Sequence, residues 1–290
     1  MGLMSAGAVS SVAAEHAEAG PAVPMAAPTL FHIGPLPVTN TIVVTWSILA
    51  FIFAVIKLGT RKLSLVPTGL QNLLEMVVEG LEDMTKGLLE PKVVHWCFPL
   101  VATFFLFILI ANLTDLLPGF GSIGYGKPAA HSSLPFALEH ADVPWFRPPT
   151  ADANTTVALS GIFFIMSTIW AVRYNGFGGL LKHVFGIKGG ITGAAAIPLS
   201  LIFLFVGLIE VISIAIRPVA LAMRLYGNIY GGESVLTIML PMLPLGLAAV
   251  PFYFLELIVA VVQALVFTML CIAFIGTLCM HIEEESPAAH

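Results

Sequence analysis

Long apolar runs alternate with short polar connections along most of this chain. A helix crosses the hydrocarbon core of a bilayer, about 30 Å thick, when roughly 20 apolar residues follow one another. Five runs meet or approach that length, at 41–58, 95–117, 154–172, 198–240 and 252–280. The pattern predicts an all-α polytopic membrane protein with about five membrane helices in one membrane domain, residues 41–283.

The last two runs are longer than a straight crossing requires. Residues 198–240 would form a helix of about 65 Å at 1.5 Å per residue, and no polar turn divides them. We therefore expect a strongly tilted helix with a bend near Pro218. An uncharged turn at 241–251 leads to a second long and tilted helix, so the two form a hairpin.

Residues 67–89 form a segment of a different kind. Leucine, valine and methionine recur there at helical spacing, whereas glutamate, aspartate and glutamine fill the other face. This alternation predicts an amphipathic helix, begun by Pro67, that lies on the membrane surface or on a partner. A short soluble helical linker is the alternative interpretation.

The positions of lysine and arginine predict the orientation. The chain has 12 basic residues, and none lies in residues 1–40. Eight fall in segments that one orientation places together in the cytoplasm: Lys57, Arg61, Lys62, Lys86, Lys92, Arg173, Lys182 and Lys188. By the positive-inside rule, residues 1–40 form a mobile tail outside the cell, the 119–153 loop lies outside, the 173–190 loop is cytoplasmic, and residues 284–290 form a cytoplasmic tail.

Composition narrows the class of protein. Hydrophobic residues make up 58% of the chain and charged residues 10%, whereas soluble domains carry about 25% charged residues. Membrane lipid is therefore an expected partner, and nucleic acid is not, because the few basic residues are dispersed. The three cysteines lack metal-type spacing, and no Gly-rich phosphate loop is present. We expect no metal, no cofactor and no catalytic residue.

Four charged residues interrupt the apolar run 198–240: Glu210, Arg217, Arg224 and Glu233. A charge at the centre of a membrane helix costs roughly 2.5–3.5 kcal/mol on insertion scales. Four such residues exceed what anchoring needs, so we interpret the run as an ion pathway.

Arg224 is the hardest of these to explain as structure. Its guanidinium stays charged at any useful pH, and the small residues around it permit close approach of another helix. Glu210, Arg217 and Arg224 are spaced by seven, so they lie nearly on one face. For Arg217, beside Pro218, a side chain that reaches the membrane interface and has no further role is an equally good interpretation.

Other spans carry polar residues as well. Asp115 lies near the outer end of its span with Asn112 one turn inward, where it could equally be a helix-end residue that reaches water. Glu256 and Gln263 lie seven residues apart on the last helix and share a face. These groups extend the candidate pathway to three helices.

Four strings resemble subunit a of the rotary F-type ATP synthases. RPVALAMRLYGNIYGGE, residues 217–233, matches the signature of that family. NLTDLLP resembles its second-span motif, PTADANTT the start of its next helix and VVQALVFTML its last-helix motif. The four strings occur in the family's order, and the likeness covers roughly residues 40–283.

The resemblance implies a stator channel beside a rotating ring of c subunits. Two aqueous half-channels would reach mid-membrane from opposite sides, and Arg224 matches the arginine that separates them and meets each ring carboxylate. The other matched positions are Glu233 and Gln263 on the ion path, Asn228 beside the arginine, Glu210 toward the cytoplasmic exit, Asp115 on the outer access route and Glu256 in the outer half-channel.

The resemblance also implies partners and a location. The subunit would be a non-catalytic, proton-translocating part of the complex in a bacterial inner membrane. It would contact the c-subunit ring, the b-subunit peripheral stalk and other subunits. Because the ring's own ion site is not in this sequence, proton and sodium both stay open as the coupling ion.

Two rival functions are open to test. A secondary ion transporter or exchanger also uses charges near the bilayer midplane, although it usually shows two similar halves, and the helices here are unequal. An intramembrane hydrolase would need a histidine with aspartate or serine in facing spans. No such pair is visible around Asp115.

Overall fold

Helices dominate the structure. The computed structural model describes residues 29–33, 36–117, 124–128, 138–144, 147–185, 196–239 and 249–279. The helices of this part are α1 (Asn40–Gly59), α2 (Leu70–Lys86), α3 (Pro91–Asp115), α4 (Ala153–Phe185), α5 (Ala196–Met239) and α6 (Val250–Cys279). Five of them, all except α2, are long and apolar enough to cross a membrane. The predicted all-α polytopic class is confirmed.

The two long runs each form one continuous helix. α5 has 44 residues and carries Pro218 inside it, so the run is not divided into two segments. α6 has 30 residues. The predicted turn that joins them falls mostly on residues 240–248, which lie outside the described part of the chain.

α4 differs from the expected third span. The span was expected to end at 172 and a loop to follow, but the helical backbone continues to Phe185. Gly176 interrupts it with φ 70 and ψ 163, a conformation that glycine adopts far more readily than residues with a Cβ. The charged and glycine residues that suggested a loop therefore mark a kink. Residues 186–190 of that loop lie outside the described part.

α2 begins at Leu70 rather than at Pro67, because Gly69 precedes it with φ 60. Gln71 fastens the start of α2, since its Nε2 donates to the Ser64 carbonyl at 3.1 Å and to Glu75 Oε1 at 2.7 Å. Leu81 is buried, whereas Leu73 and much of the remaining apolar face stay exposed. The helix thus packs along one edge and leaves an apolar face uncovered, as a helix at a membrane surface would.

Two short hairpins and a helical turn were not predicted. β1 (Thr29–Ile33) pairs with β2 (Leu36–Thr39), and β3 (Gly124–Pro128) pairs with β4 (Leu138–Pro144), both antiparallel. They lie in segments expected to lack regular structure, as does the 3-10 turn Pro149–Ala151. The remaining tail residues 1–28 and the C-terminal tail lie outside the described residues.

The core lies between α3 and α6, with α4 and α5 packed beside them. Phe104 meets Phe267 edge to face at 6.0 Å, and Phe163 meets Phe274 at 5.6 Å. Lipid is as apolar as these side chains, so close van der Waals packing rather than water exclusion holds such helices together. α5 is the least buried of these four helices, because only 11% of its most apolar stretch is buried, against 50% in α6. Most of α5 is left for lipid or another protein.

Candidate functional site

Arg217 and Arg224 lie two turns apart on α5 and line one cavity of about 390 Å³. Residues of α4 and α6 complete its wall, among them Phe163, Leu270 and Phe274. Arg217 is exposed but contacts α6, because its Nη1 donates to Thr277 Oγ1 at 3.0 Å and its guanidinium lies 5.0 Å from the centre of the Phe274 ring.

Arg224 differs from Arg217 in its contacts. Its side chain is also exposed, but within the described residues it has neither a hydrogen bond nor an ion pair. A guanidinium offers five donors and cannot lose its charge. The site therefore presents an uncompensated cation on an uncovered helix.

Asn228 and Gln263 form a polar bridge one turn beyond Arg224. Asn228 Nδ2 donates to Gln263 Oε1 at 2.7 Å. Gln263 is buried, and its Nε2 makes no hydrogen bond among the described residues. The bridge joins α5 to α6 and leaves the amide nitrogen of Gln263 available to donate to water.

Glu256 on α6 packs against the backbone of Gly232 on α5. A Cβ placed on Gly232 would overlap the Glu256 carboxyl group. Glu256 is only 5% exposed, and its Oε1 has no hydrogen bond in the part of the chain that is described. The same residues border a second cavity of about 410 Å³, which also reaches Asn228. The small residues of α5 thus admit the neighbouring helix at Gly232, whereas nothing lies within 4 Å of a Cβ added at Gly227 or Gly231.

Glu233 makes an ion pair with Arg147, whose Nη2 donates to Glu233 Oε2 at 3.2 Å. The Arg147 side chain is 1% exposed and that of Glu233 is 20% exposed. Asp115, at the C-terminal end of α3, lies within the electrostatic range of Glu233, Glu256 and Arg147. Its Oδ2 is buried without a hydrogen bond to any described residue. The Arg147 charge therefore acts on Glu233 of α5 and Asp115 of α3, and Glu256 of α6 lies within the electrostatic range of Asp115.

Glu210 lies away from this group. It is half-buried on α5, 14 residues before Arg224, or about 21 Å along the helix. It borders neither cavity. The structure thus brings together six of the seven predicted residues along the α5–α6 side and separates the seventh.

Sequence reasoning missed Arg147 as a site residue and treated it as a base of the outer loop. Its position immediately before Pro148 and the string PTADANTT was the available signal. Asp152 in that string accepts bonds from the Asn154 backbone N–H at 3.0 Å and from Thr41 Oγ1 at 3.1 Å. It therefore caps α4 and ties it to the start of α1. No group of three or more histidine, cysteine or acidic side chains within the described ranges could hold a metal ion.

A sequence model of the family described as ATP synthase A chain matches residues 42–276. This match covers all the helices that line the site. The chain belongs to this family. All seven predicted residues and Arg147 lie within residues 42–276, so the part of the sequence that matches the ATP synthase A chain family contains the whole candidate site.

Individual relatives agree with this assignment to the ATP synthase A chain family. "ATP synthase subunit a" of Moorella thermoacetica is 33% identical over 247 residues, which is 85% of this chain and 94% of that protein. Proteins of the same name from Trichlorobacter lovleyi and Geobacter sulfurreducens are each 32% identical, over 85% and 81% of this chain and 89% and 86% of their own lengths. The likeness therefore spans nearly the whole of each relative.

Proposed function

We propose that this member of the ATP synthase A chain family is the stator ion channel of a bacterial F-type ATP synthase. It passes protons through two half-channels to and from the carboxylates of a c-subunit ring, and it carries no catalytic residue itself. It lies in the inner membrane with the N-terminus outside and the C-terminus in the cytoplasm. The b-subunit stalk, the other subunits and lipid cover the rest of its surface.

The observation that carries the proposal is the state of Arg224. A permanent cation stands on α5, the least buried of the long helices, with no partner among the described residues. In a low-dielectric environment such a charge is costly unless it is paired. A carboxylate on a rotor helix that passes α5 supplies the pairing and leaves again, which a fixed intramolecular partner could not do.

The two cavities support separate routes on either side of Arg224. Asp115, Glu233 and Glu256 belong to the side of the 410 Å³ cavity, which we assign to the outer half-channel. The 390 Å³ cavity with Arg217 begins on the other side, in the direction of Glu210 and the cytoplasmic exit. Each proton that crosses gains about 2.3 kcal/mol per 100 mV. The cation between the routes blocks a direct proton wire.

The Arg224→Ala variant tests the proposal in inverted membrane vesicles that contain the complete synthase. We expect ATP-driven acidification of the vesicles to be lost, because no charge then separates the half-channels or draws the proton off the ring. Membrane-bound ATP hydrolysis and subunit content, measured in the same vesicles, report assembly. Arg173→Ala is the matched control, since Arg173 is also exposed but lies over Trp96, at 4.8 Å from its ring centre.

Near-normal acidification by an assembled Arg224→Ala complex would contradict the proposal. So would an equal loss in the Arg173→Ala control, because the effect would then follow from removing any cation from this subunit.

A further inference from the structure

The ion pair between Arg147 and Glu233 points to a second arginine that serves the ion path. We propose that Arg147 is a positioning residue, whose guanidinium holds the Glu233 carboxylate in one orientation on the outer half-channel. The inference rests on the proposed function and deepens it. It assigns a role to a residue outside the long helices.

The backbone that carries Arg147 is held in place by the residues that follow it. Pro148 and Pro149 follow it, and proline restricts φ to about −65°. The 3-10 turn Pro149–Ala151 is entirely buried, and Asp152 binds both the α4 backbone and Thr41 of α1. The backbone that carries Arg147 is thus fastened to two helices, so the guanidinium is presented to α5 from a rigid position.

The two side chains of the ion pair differ in their exposure. Arg147 is the largest fully buried side chain among the described residues, whereas Glu233 keeps 20% of its surface exposed. Glu233 Oε2 accepts the bond from Arg147 Nη2, so Oε1 is the oxygen that is left to exchange a proton. The arginine fixes one carboxylate oxygen and leaves the other to the path.

The burial of Arg147 makes its partner necessary. A guanidinium cannot discharge itself by losing a proton, and a buried charge that loses its partner is strongly destabilising. Asp115 is the other carboxyl group on which the Arg147 charge acts. One fixed cation therefore faces two carboxyl groups that come from α3 and α5.

A double-mutant cycle separates positioning from simple fastening of the 147–152 segment. The variants are Arg147→Gln, Glu233→Gln and the double variant, each made in the complete synthase. Passive proton flow is measured through membranes from which F1 has been removed, and subunit content and rebinding of F1 report assembly. The double variant removes both charges of the Arg147–Glu233 pair, so it keeps the test usable if Arg147→Gln alone assembles poorly.

We expect Arg147→Gln to lower proton flow per assembled complex about ten-fold, because the Glu233 carboxylate loses a charge-assisted hydrogen bond that fixes its orientation. Glu233→Gln lowers flow at least as much. The double variant conducts no less than Glu233→Gln alone, because the positioning of Glu233 by Arg147 requires the carboxylate that is already gone. Arg173→Gln, which removes a cation far from Glu233, keeps normal flow.

Three results would overturn the inference. One is an equal further loss when Arg147→Gln is added to Glu233→Gln, since a fastening role is additive. The second is unchanged flow in Arg147→Gln, and the third is unchanged flow in Glu233→Gln. If Arg224→Ala still abolishes pumping, these results leave the proposed function intact, whereas normal pumping by Arg224→Ala removes both.

Discussion

Two arginines of this protein differ in burial and in their partners. Arg147 is fully buried and has a carboxylate of its own chain at 3.2 Å. Arg224 is exposed on α5 and has no partner among the described residues. Because neither side chain can lose its charge, the first is satisfied within the subunit and the second must be satisfied from outside. In the proposed function, Arg147 shapes the outer half-channel and Arg224 is the group that meets the rotor.

Contact between Gly232 and Glu256 gives a prediction at the residue scale. In Gly232→Ala the new methyl group occupies the space of the Glu256 carboxyl, so that side chain must move away from the outer cavity. We expect passive proton flow through F1-depleted membranes to fall several-fold, with normal amounts of the subunit.

Gly161→Ala serves as the control for this prediction, because a Cβ at Gly161 meets nothing within 4 Å. Unchanged flow in Gly232→Ala would show that the position of Glu256 does not matter for conduction.

Among the elements, α4 is the one whose form departs most from expectation. Its helical backbone continues past Arg173, where a loop was expected, and Gly176 allows a change of direction inside the helix. Near this kink Asn175 Nδ2 donates to the Leu278 carbonyl at 2.8 Å, and Tyr174 donates to Glu90. The kink therefore lies where α4 contacts α6 and the start of α3.

Gly176→Ala should weaken this junction. Residues with a Cβ are strained in sparsely populated regions of positive φ by about 1–3 kcal/mol. We expect a lower thermal denaturation midpoint for the detergent-solubilised complex, read from the loss of the intact assembly on native gels.

Gly178→Ala is the matched variant two residues away, in helical backbone with nothing within 4 Å of the added methyl. It should leave the midpoint unchanged or slightly raised. Equal midpoints for Gly176→Ala and Gly178→Ala would show that the kink carries no strain-sensitive backbone.

For the whole molecule, hydropathy was enough to predict the class and five long apolar helices, because lipid allows few other solutions. Glu233 and Glu256 could be singled out because charges are costly in apolar runs. Arg147 could not, since an arginine in a polar loop carries no such signal and only tertiary packing buries it. The two hairpins were not predicted either, because strands of four to seven residues are too short to show a clear alternation of apolar and polar residues.

The uncovered surface of α5 supports the proposed position of the rotor. α5 leaves a long apolar face uncovered around Arg224, whereas α3 and α6 pack into the core. Ordinary lipid would cover the apolar side chains but not the guanidinium. The central claim is that a rotor carboxylate approaches this charge within the membrane.

A density map of the complete synthase in a lipid disc tests that claim most directly. We predict that the Arg224 guanidinium faces a helix of the c ring at the level of its carboxylate, within one ordered water of it, with the 410 Å³ cavity open to the outer side. A map that shows Arg224 in bulk solvent, or on a face of α5 turned away from the ring, would contradict the account.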